Sequence, residues 1–332
     1  MPNSTSLEAS LLKATRRQFH RSAIIKNLQP LTAGASADTW KFNVITKQQS
    51  RTLILRRLAL AENISTAVSK TTEALVQQAA VANGVLAPRV RFILEDIDQL
   101  GEGYVMDCIE GESIPQKILR QDCFAIAREQ MPTQCGAILG CIHNTPLESL
   151  PPLPNVTSIN QINQLYHLYL SYGQYQPVFD IAFCWLRDHL PSPVPTTLVH
   201  GDYRNGNFMV DQQGICGILD WELTHLGDPM EDIGWLCVNS WRFGNTDKPI
   251  GGFGKRAAFY QSYTEKSEST IDEKAIHFWE IFGTLKWGII CLFQCFSHLT
   301  GKIRSIERAA IGRRVSETEI DLLQLMDTAH AI

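Results

Sequence analysis

Residues 200 to 220 read His-Gly-Asp-Tyr-Arg-Asn-Gly-Asn-Phe-Met-Val-Asp-Gln-Gln-Gly-Ile-Cys-Gly-Ile-Leu-Asp, and three of them, Asp202, Asn207 and Asp220, are suited to moving a phosphoryl group. Magnesium is a hard cation that takes oxygen ligands and keeps several waters, so one carboxylate, one amide oxygen and nucleotide phosphates complete its shell. Asn207 and Asp220 meet that demand. A γ-phosphoryl group passes through a loose transition state, which leaves the protein to position the acceptor hydroxyl and neutralise charge. Asp202 is then the group that accepts the hydroxyl proton, and Arg204, two positions on, is the cation that reaches the developing charge.

The elements that must position these groups are short. The apolar pair Leu198-Val199 leads into the polar loop, Phe208 to Val210 has the composition of a strand, and Asp211 to Gly214 makes a turn. Ile215 to Leu219 then returns as a second strand and delivers Asp220 at its end. If Val210 faces Ile215, Asn207 faces Ile218, and Asp220 lands within about two residues of Asn207. Singly, Asp202 could cap a loop, Asn207 could satisfy a turn and Asp220 could end a strand. Their joint spacing favours the chemistry. His200 is expected to pack and hold the loop, and Asp232, at the start of the next helix, to brace it from behind.

The run His200 to Asn207 resembles the catalytic loop of the aminoglycoside and choline phosphotransferase family, a branch of the protein-kinase-like fold. It keeps the five-residue interval from Asp to Asn of protein kinases, with Gly201 in place of their Arg. In that pattern Arg204 takes the place of the catalytic-loop Lys. Leu219 to Gly234 resembles the subgroup that includes the kinase-like domains of acyl-CoA dehydrogenase family members ten and eleven, and Asp220 matches the family's metal-binding Asp.

The resemblance implies an α+β fold of two lobes, a small antiparallel β-sheet lobe over residues 1–107 and a larger, mainly helical lobe over 108–332, with ATP and Mg2+ as cofactors. The small-residue turn at Gly34, Ala35 and Ser36 would let backbone N–H groups approach the phosphates. Arg56 falls where the family places a phosphate-contacting Lys, a swap that keeps the charge and changes its shape. Glu73, on a helix spanning Ser69 to Gly84, is the expected ion-pair partner of Arg56. Asp107, Cys108 and Ile109 form the expected hinge, with Asp107 and Ile109 beside the base. Cys135 to His143 resembles the helix before the catalytic loop, which makes His143 a structural residue.

The rest of the chain agrees with a globular protein. Its 332 residues are 44% hydrophobic and 19% charged, with a net charge of −4, so nothing calls for nucleic acid. Nine scattered cysteines with no Cys-x-x-Cys suggest reduced thiols and a cytoplasmic location. Residues 1–20 lack the apolar block of a signal peptide, and Thr5 with Glu8 suggests a capping box opening an N-terminal helix. The most apolar stretch, Ile281 to Phe296, contains Lys286 and Gln294 and reads as a buried helix, so no membrane is expected. Further helices are read over 123–143, 159–189, 230–241, 255–266, 273–299 and 316–330.

For the acceptor, the side chains after Asp220 are Trp221, Glu222, Asn239, Trp241, Arg242 and Phe243. Aromatics with one Arg suit a small alcohol or hydroxyacyl compound better than a polycationic aminoglycoside. A nucleotide-binding pseudokinase is the main alternative. A protein kinase ranks below it, because neither Ala-Pro-Glu nor Asp-Phe-Gly follows Asp220. The sequence does not specify an oligomeric state.

Overall fold

The computed structural model describes residues 4–31, 37–47, 49–58, 67–267 and 269–328. It opens with helix α1 (Ser4–Gln18), whose first side chains, including Thr5 of the expected capping box, lie outside what is described. Strands β1 (Ile24–Leu31), β2 (Ala37–Ile45) and β3 (Ser50–Leu58), helix α2 (Lys70–Ala82), and strands β4 (Val90–Ile93) and β5 (Gly103–Asp107) follow. The strands form one antiparallel sheet in the order β1-β2-β3-β5-β4. Pro30 is tolerated in β1 because that strand is an edge.

Strand alternation divides the sheet's two faces. Leu53 and Leu55 point into a core shared with Leu7, Leu11, Phe42, Val44 and Val105, which α1 covers. The opposite face meets α2, where Ala74, Val90 and Tyr104 pack together. Arg56 has the parity of that second face and sits directly across from Tyr104. This is how a charged residue of β3 comes to face α2.

The second half is mainly helical: α3 (Pro115–Arg120), α4 (Ala125–His143), α5 (Ser158–Ser171), α6 (Pro177–Asp188), then strands β6 (Thr197–Val199), β7 (Phe208–Val210), β8 (Ile215–Ile218) and β9 (His225–Gly227). Helices α7 (Met230–Cys237), α8 (Arg256–Ser267), α9 (Glu273–Leu299), α10 (Ile306–Gly312) and α11 (Val315–Thr328) complete it. The helix expected over 159–189 is two helices, interrupted at Gly173 with φ +61° and restarted by Pro177 at the first turn of α6. The one expected over 230–241 stops at Cys237 and continues as a 3-10 turn, Asn239–Arg242. Helices α3 and α10 were not foreseen.

One large apolar core runs through this half and takes in Val76, Ala80 and Val85 at the end of α2. At its centre α4 and α8 touch through Gly136, where a Cβ would collide with the Phe259 carbonyl oxygen. Helix α9 is long and apolar enough to span a membrane, yet 72% of its most apolar window is buried inside the fold, as in a core helix.

Candidate active site

The loop between β6 and β7 carries Asp202, and Asp232 of α7 fixes its entry. The Asp232 carboxylate accepts the N–H of His200 at 2.8 Å on one oxygen and that of Gly201 at 2.9 Å on the other. His143 Nε2 adds a third contact at 3.1 Å, and the Nδ1 of the same ring is 2.8 Å from the Tyr263 hydroxyl. Burial works against the Asp232 charge, but the side-chain contact from His143 and the His200 N–H hold its pKa below the ordinary value. Gly201, with φ +79°, is required here because a Cβ would collide with the Leu223 carbonyl oxygen.

His200 ties this loop to the end of β8. Its Nε2 meets the Leu219 carbonyl at 3.1 Å, so Nε2 carries the proton, while Nδ1 accepts the Asp202 N–H at 3.2 Å. That arrangement uses the neutral ring fully. Burial pushes the imidazole pKa down, against the opposing charges of Asp232, Asp202 and Asp220.

Three donors converge on the Asp202 carboxylate. Oδ1 accepts from Arg204 Nε and from Trp235 Nε1, each at 2.8 Å, and Oδ2 accepts from Asn207 Nδ2 at 2.6 Å. Asn207 Nδ2 also donates to the Asp202 carbonyl at 2.9 Å, which engages both amide protons and leaves the side-chain oxygen as the atom able to act as a ligand. The Arg204 guanidinium lies 4.5 Å over the Trp241 ring.

Strands β7 and β8 pair Val210 with Ile215 as expected, but a bulge after Met209 shifts the rest by one, so Phe208 faces Ile218. Asn207 instead binds Leu219, whose N–H donates to its carbonyl at 2.8 Å. Asp220 is therefore one residue from the partner of Asn207. It adopts φ +67°, a left-handed conformation that is uncommon for Asp.

Arg56 reaches Asp220 from the sheet through a hydrogen bond from its guanidinium to Oδ1, and the same nitrogen lies 3.1 Å from Glu222. Its Nε is 2.9 Å from Glu73 Oε1, an ion pair by proximity whose angle does not suit a hydrogen bond. Tyr104 donates to the same Glu73 oxygen at 2.9 Å. Lys70, buried at the start of α2, lies 2.7 Å from Glu73 and 3.0 Å from Glu222. Burial alone would weaken the Arg56 charge, but Glu73 and Asp220 raise its pKa above the ordinary range.

The other sequence-derived positions divide. Gly34, Ala35 and Ser36 lie outside the described residues. The Asp107 carboxylate is paired with Arg91 at 2.5 and 2.7 Å, and its N–H donates to the Arg89 carbonyl. The Cys108 N–H is engaged by Thr52, and Ile109 packs against Gly217 on β8. Among the described residues no group of three or more His, Cys, Asp or Glu is placed to hold a metal. One carboxylate and one amide oxygen, with Asp220 about a third exposed, suit an ion that shares its shell with phosphates and water.

The acceptor-side expectation needs correction. Trp221 is fully buried and donates to the Ile218 carbonyl, and Glu222 belongs to the ion cluster. Asn239 binds Asp321, while Arg242 is tied to Glu280 at 2.6 Å and to the carbonyls of Cys237 and Thr246. Adjacency in sequence to Asp220 did not specify which way these side chains point. Trp241 does face the site and belongs to a wall with Trp235 and Trp287, their ring centroids 5.1 and 4.8 Å apart. Lys286 lies 4.9 Å over Trp235 and Arg314 5.8 Å over Trp287. The indole N–H groups of Trp241 and Trp287 are buried without a hydrogen-bond partner.

Residues 27–266 match the family model described as the phosphotransferase enzyme family. Acyl-CoA dehydrogenase family member 10 of Mus musculus is 28% identical over 196 residues, covering 57% of this chain. A probable acyl-CoA dehydrogenase of Arabidopsis thaliana, IBR3, is 39% identical over 61 residues, covering 17% of this chain. The matched segments cover 18% of the mouse protein and 7% of the plant one. Among solved structures, a candidate aminoglycoside phosphotransferase from Ralstonia eutropha superimposes with TM-score 0.74 at 20% identity, covering 98% of both chains. A choline/ethanolamine kinase family protein from Mesorhizobium loti gives 0.66 at 17%, covering 98% of this chain and 95% of that one. A spectinomycin phosphotransferase in complex with ADP and spectinomycin gives 0.63 at 13%, covering 95% and 98%. These likenesses establish a kinase-like α+β fold.

Proposed function

This chain belongs to the phosphotransferase enzyme family, and we propose on that footing that it transfers the γ-phosphoryl group of ATP to a hydroxyl of a small molecule. The observation that carries this reading is the Asp202 carboxylate, oriented by Arg204, Trp235 and Asn207 and joined through His200 to the residue before Asp220. Asp202 receives the proton of the acceptor hydroxyl as the bond from the hydroxyl oxygen to the γ-phosphorus forms and the bond to the β–γ bridging oxygen breaks, with ADP as the leaving group. Arg204 offers positive charge beside the base. Asn207 and Asp220 would hold Mg2+, which supplies neutralisation of phosphate charge when bound. Arg56, kept in place by Glu73, would contact a phosphate. Asp107 and Ile109 would supply backbone groups to the base, and Gly34, Ala35 and Ser36 would cover the phosphates.

Support for the acceptor class comes from the tryptophan wall. Three indole rings, two buried N–H donors without partners and the Lys286 cation suit a hydroxy compound with an apolar body and an anionic group better than a polycation. A hydroxyacyl compound is the foremost candidate. The test is an ATP-consumption screen across hydroxyacids, hydroxyacyl thioesters, amino alcohols, sugars and aminoglycosides, with Asp202→Ala as the blank. Turnover restricted to aminoglycosides would reverse the acceptor assignment, and nucleotide binding without any turnover would favour a pseudokinase.

We place the division between the nucleotide lobe and the acceptor lobe after Asp107. A reducing, cytoplasmic setting suits the nine cysteines, all of them unpaired.

A further inference from the structure

Five charged side chains meet where the sheet approaches the end of β8: Arg56 from β3, Lys70 and Glu73 from α2, and Asp220 and Glu222 from the loop after β8. Two features make Lys70 unusual. Its side chain is only 3% exposed, and it occupies the first turn of α2, where the helix dipole disfavours a cation. Among the described residues, Glu73 and Glu222 are its ion-pair partners. The segment before α2 is also fastened to the same loop, since the Val68 N–H donates to the Glu222 carbonyl at 2.8 Å.

Formal charge explains what the lysine does there. Arg56 and Lys70 together face three carboxylates, so the removal of Lys70 would leave one guanidinium among Glu73, Glu222 and Asp220. In a poorly solvated cluster that guanidinium would be held by its carboxylates and withheld from any other anion. With Lys70 present, the pairs Arg56 with Glu73 and Lys70 with Glu222 balance, and a divalent cation that takes Asp220 leaves Arg56 free to serve a phosphate. We propose that Lys70 and Glu222 are a charge-balancing pair that positions Arg56 for the nucleotide, with Lys70 acting through Arg56. This rests on the nucleotide-binding reading given above.

The experiment is calorimetric binding of a non-hydrolysable ATP analogue, with magnesium and with EDTA, to the full chain and its variants. Lys70→Met is expected to weaken magnesium-dependent binding by about tenfold or more, which is about 1.4 kcal/mol, and Lys70→Arg to stay within about threefold of wild type. Adding Glu222→Gln to Lys70→Met removes the surplus carboxylate and is expected to recover most of the loss, a result that a merely structural lysine would not give. A folded Lys70→Met that binds within about twofold of wild type, or a double variant no better than the single one, overturns the inference. Should Lys70→Met fail to fold, Glu222→Gln alone decides: binding at least as tight as wild type supports the charge argument, and a loss of about tenfold overturns it. A wild type that binds no nucleotide overturns both this inference and the reading beneath it. A wild type that binds, beside a Lys70→Met that binds equally, overturns only this one.

Discussion

Trp235 Nε1 and Arg204 Nε donate to the same oxygen of Asp202, both at 2.8 Å, so an indole from α7 shares the orientation of this carboxylate, the proposed base, with a cation of its own loop. Trp235→Phe keeps the ring and deletes the donor. A hydrogen bond to a charged group contributes about 1.5–3 kcal/mol, so kcat is expected to fall by about tenfold or more with KM for ATP little changed. Steady-state kinetics on the acceptor found in the screen check this, and an unaltered kcat would remove Trp235 from the positioning of the base.

Asp202 and Asp220 are expected to fail differently. Asp202→Ala should lower kcat by about 10²–10⁴ while leaving magnesium-dependent nucleotide affinity near wild type. Asp220→Ala should lose the magnesium dependence of binding itself. Calorimetry with and without EDTA separates the two, and a shared loss of nucleotide affinity would contradict the roles assigned here.

The neutral His200 carries a pH prediction. Its folded pKa is depressed below the ordinary 6.5, so around that value the unfolded chain binds more protons than the folded one. Stability from this group is therefore present above about pH 6.5 and is lost as pH falls below it. His277 is shifted the same way by burial, while His225, where Glu231 outweighs burial, is shifted upward and contributes in the opposite sense. The isolating comparison is His200→Gln against wild type between pH 8 and 5. Thermal unfolding of the variant should show a shallower loss on the acid side, and parallel curves would refute the assignment.

Lys286 tests the acceptor class. Its ammonium lies over Trp235, on the wall beside Asp202. Lys286→Met is expected to raise KM for an anionic hydroxy acceptor by about three- to tenfold, the range of one partly desolvated charge contact, and to leave an uncharged alcohol unaffected. Equal effects on both acceptors would argue against recognition of an anion.

Much of this site could be read from the chain alone because its central groups lie in one contiguous stretch. The β7 and β8 pair is joined by a short turn, so the placement of Asn207 near Asp220 followed from local rules and survived a one-residue bulge. The kinship of Arg56 and Glu73 came from resemblance, and strand parity accounts for it physically. Lys70 and Trp235 were missed because their contacts are tertiary. Nothing around Lys70 in sequence announces Glu222, which is 152 positions away, and Trp235 looks like any aromatic residue on an apolar helix. Arg242 shows the opposite failure, since its charge suggested a ligand and the fold spends it on Glu280 and backbone carbonyls.

The imidazole of His200 has a consequence for how the molecule can move. One ring is fastened both to the Asp202 peptide and to the peptide preceding Asp220, and Asp232 grips the same loop from the other side. The floor of the cleft thus behaves as a single jig that holds Asp202 and Asp220 at a fixed separation. Arg56 and Glu73, mounted on the sheet and α2, lie across the gap from it. Breathing of this cleft is expected to open along the seam crossed by Arg56 and Lys70, and amide exchange should be slowest in the floor and faster along that seam.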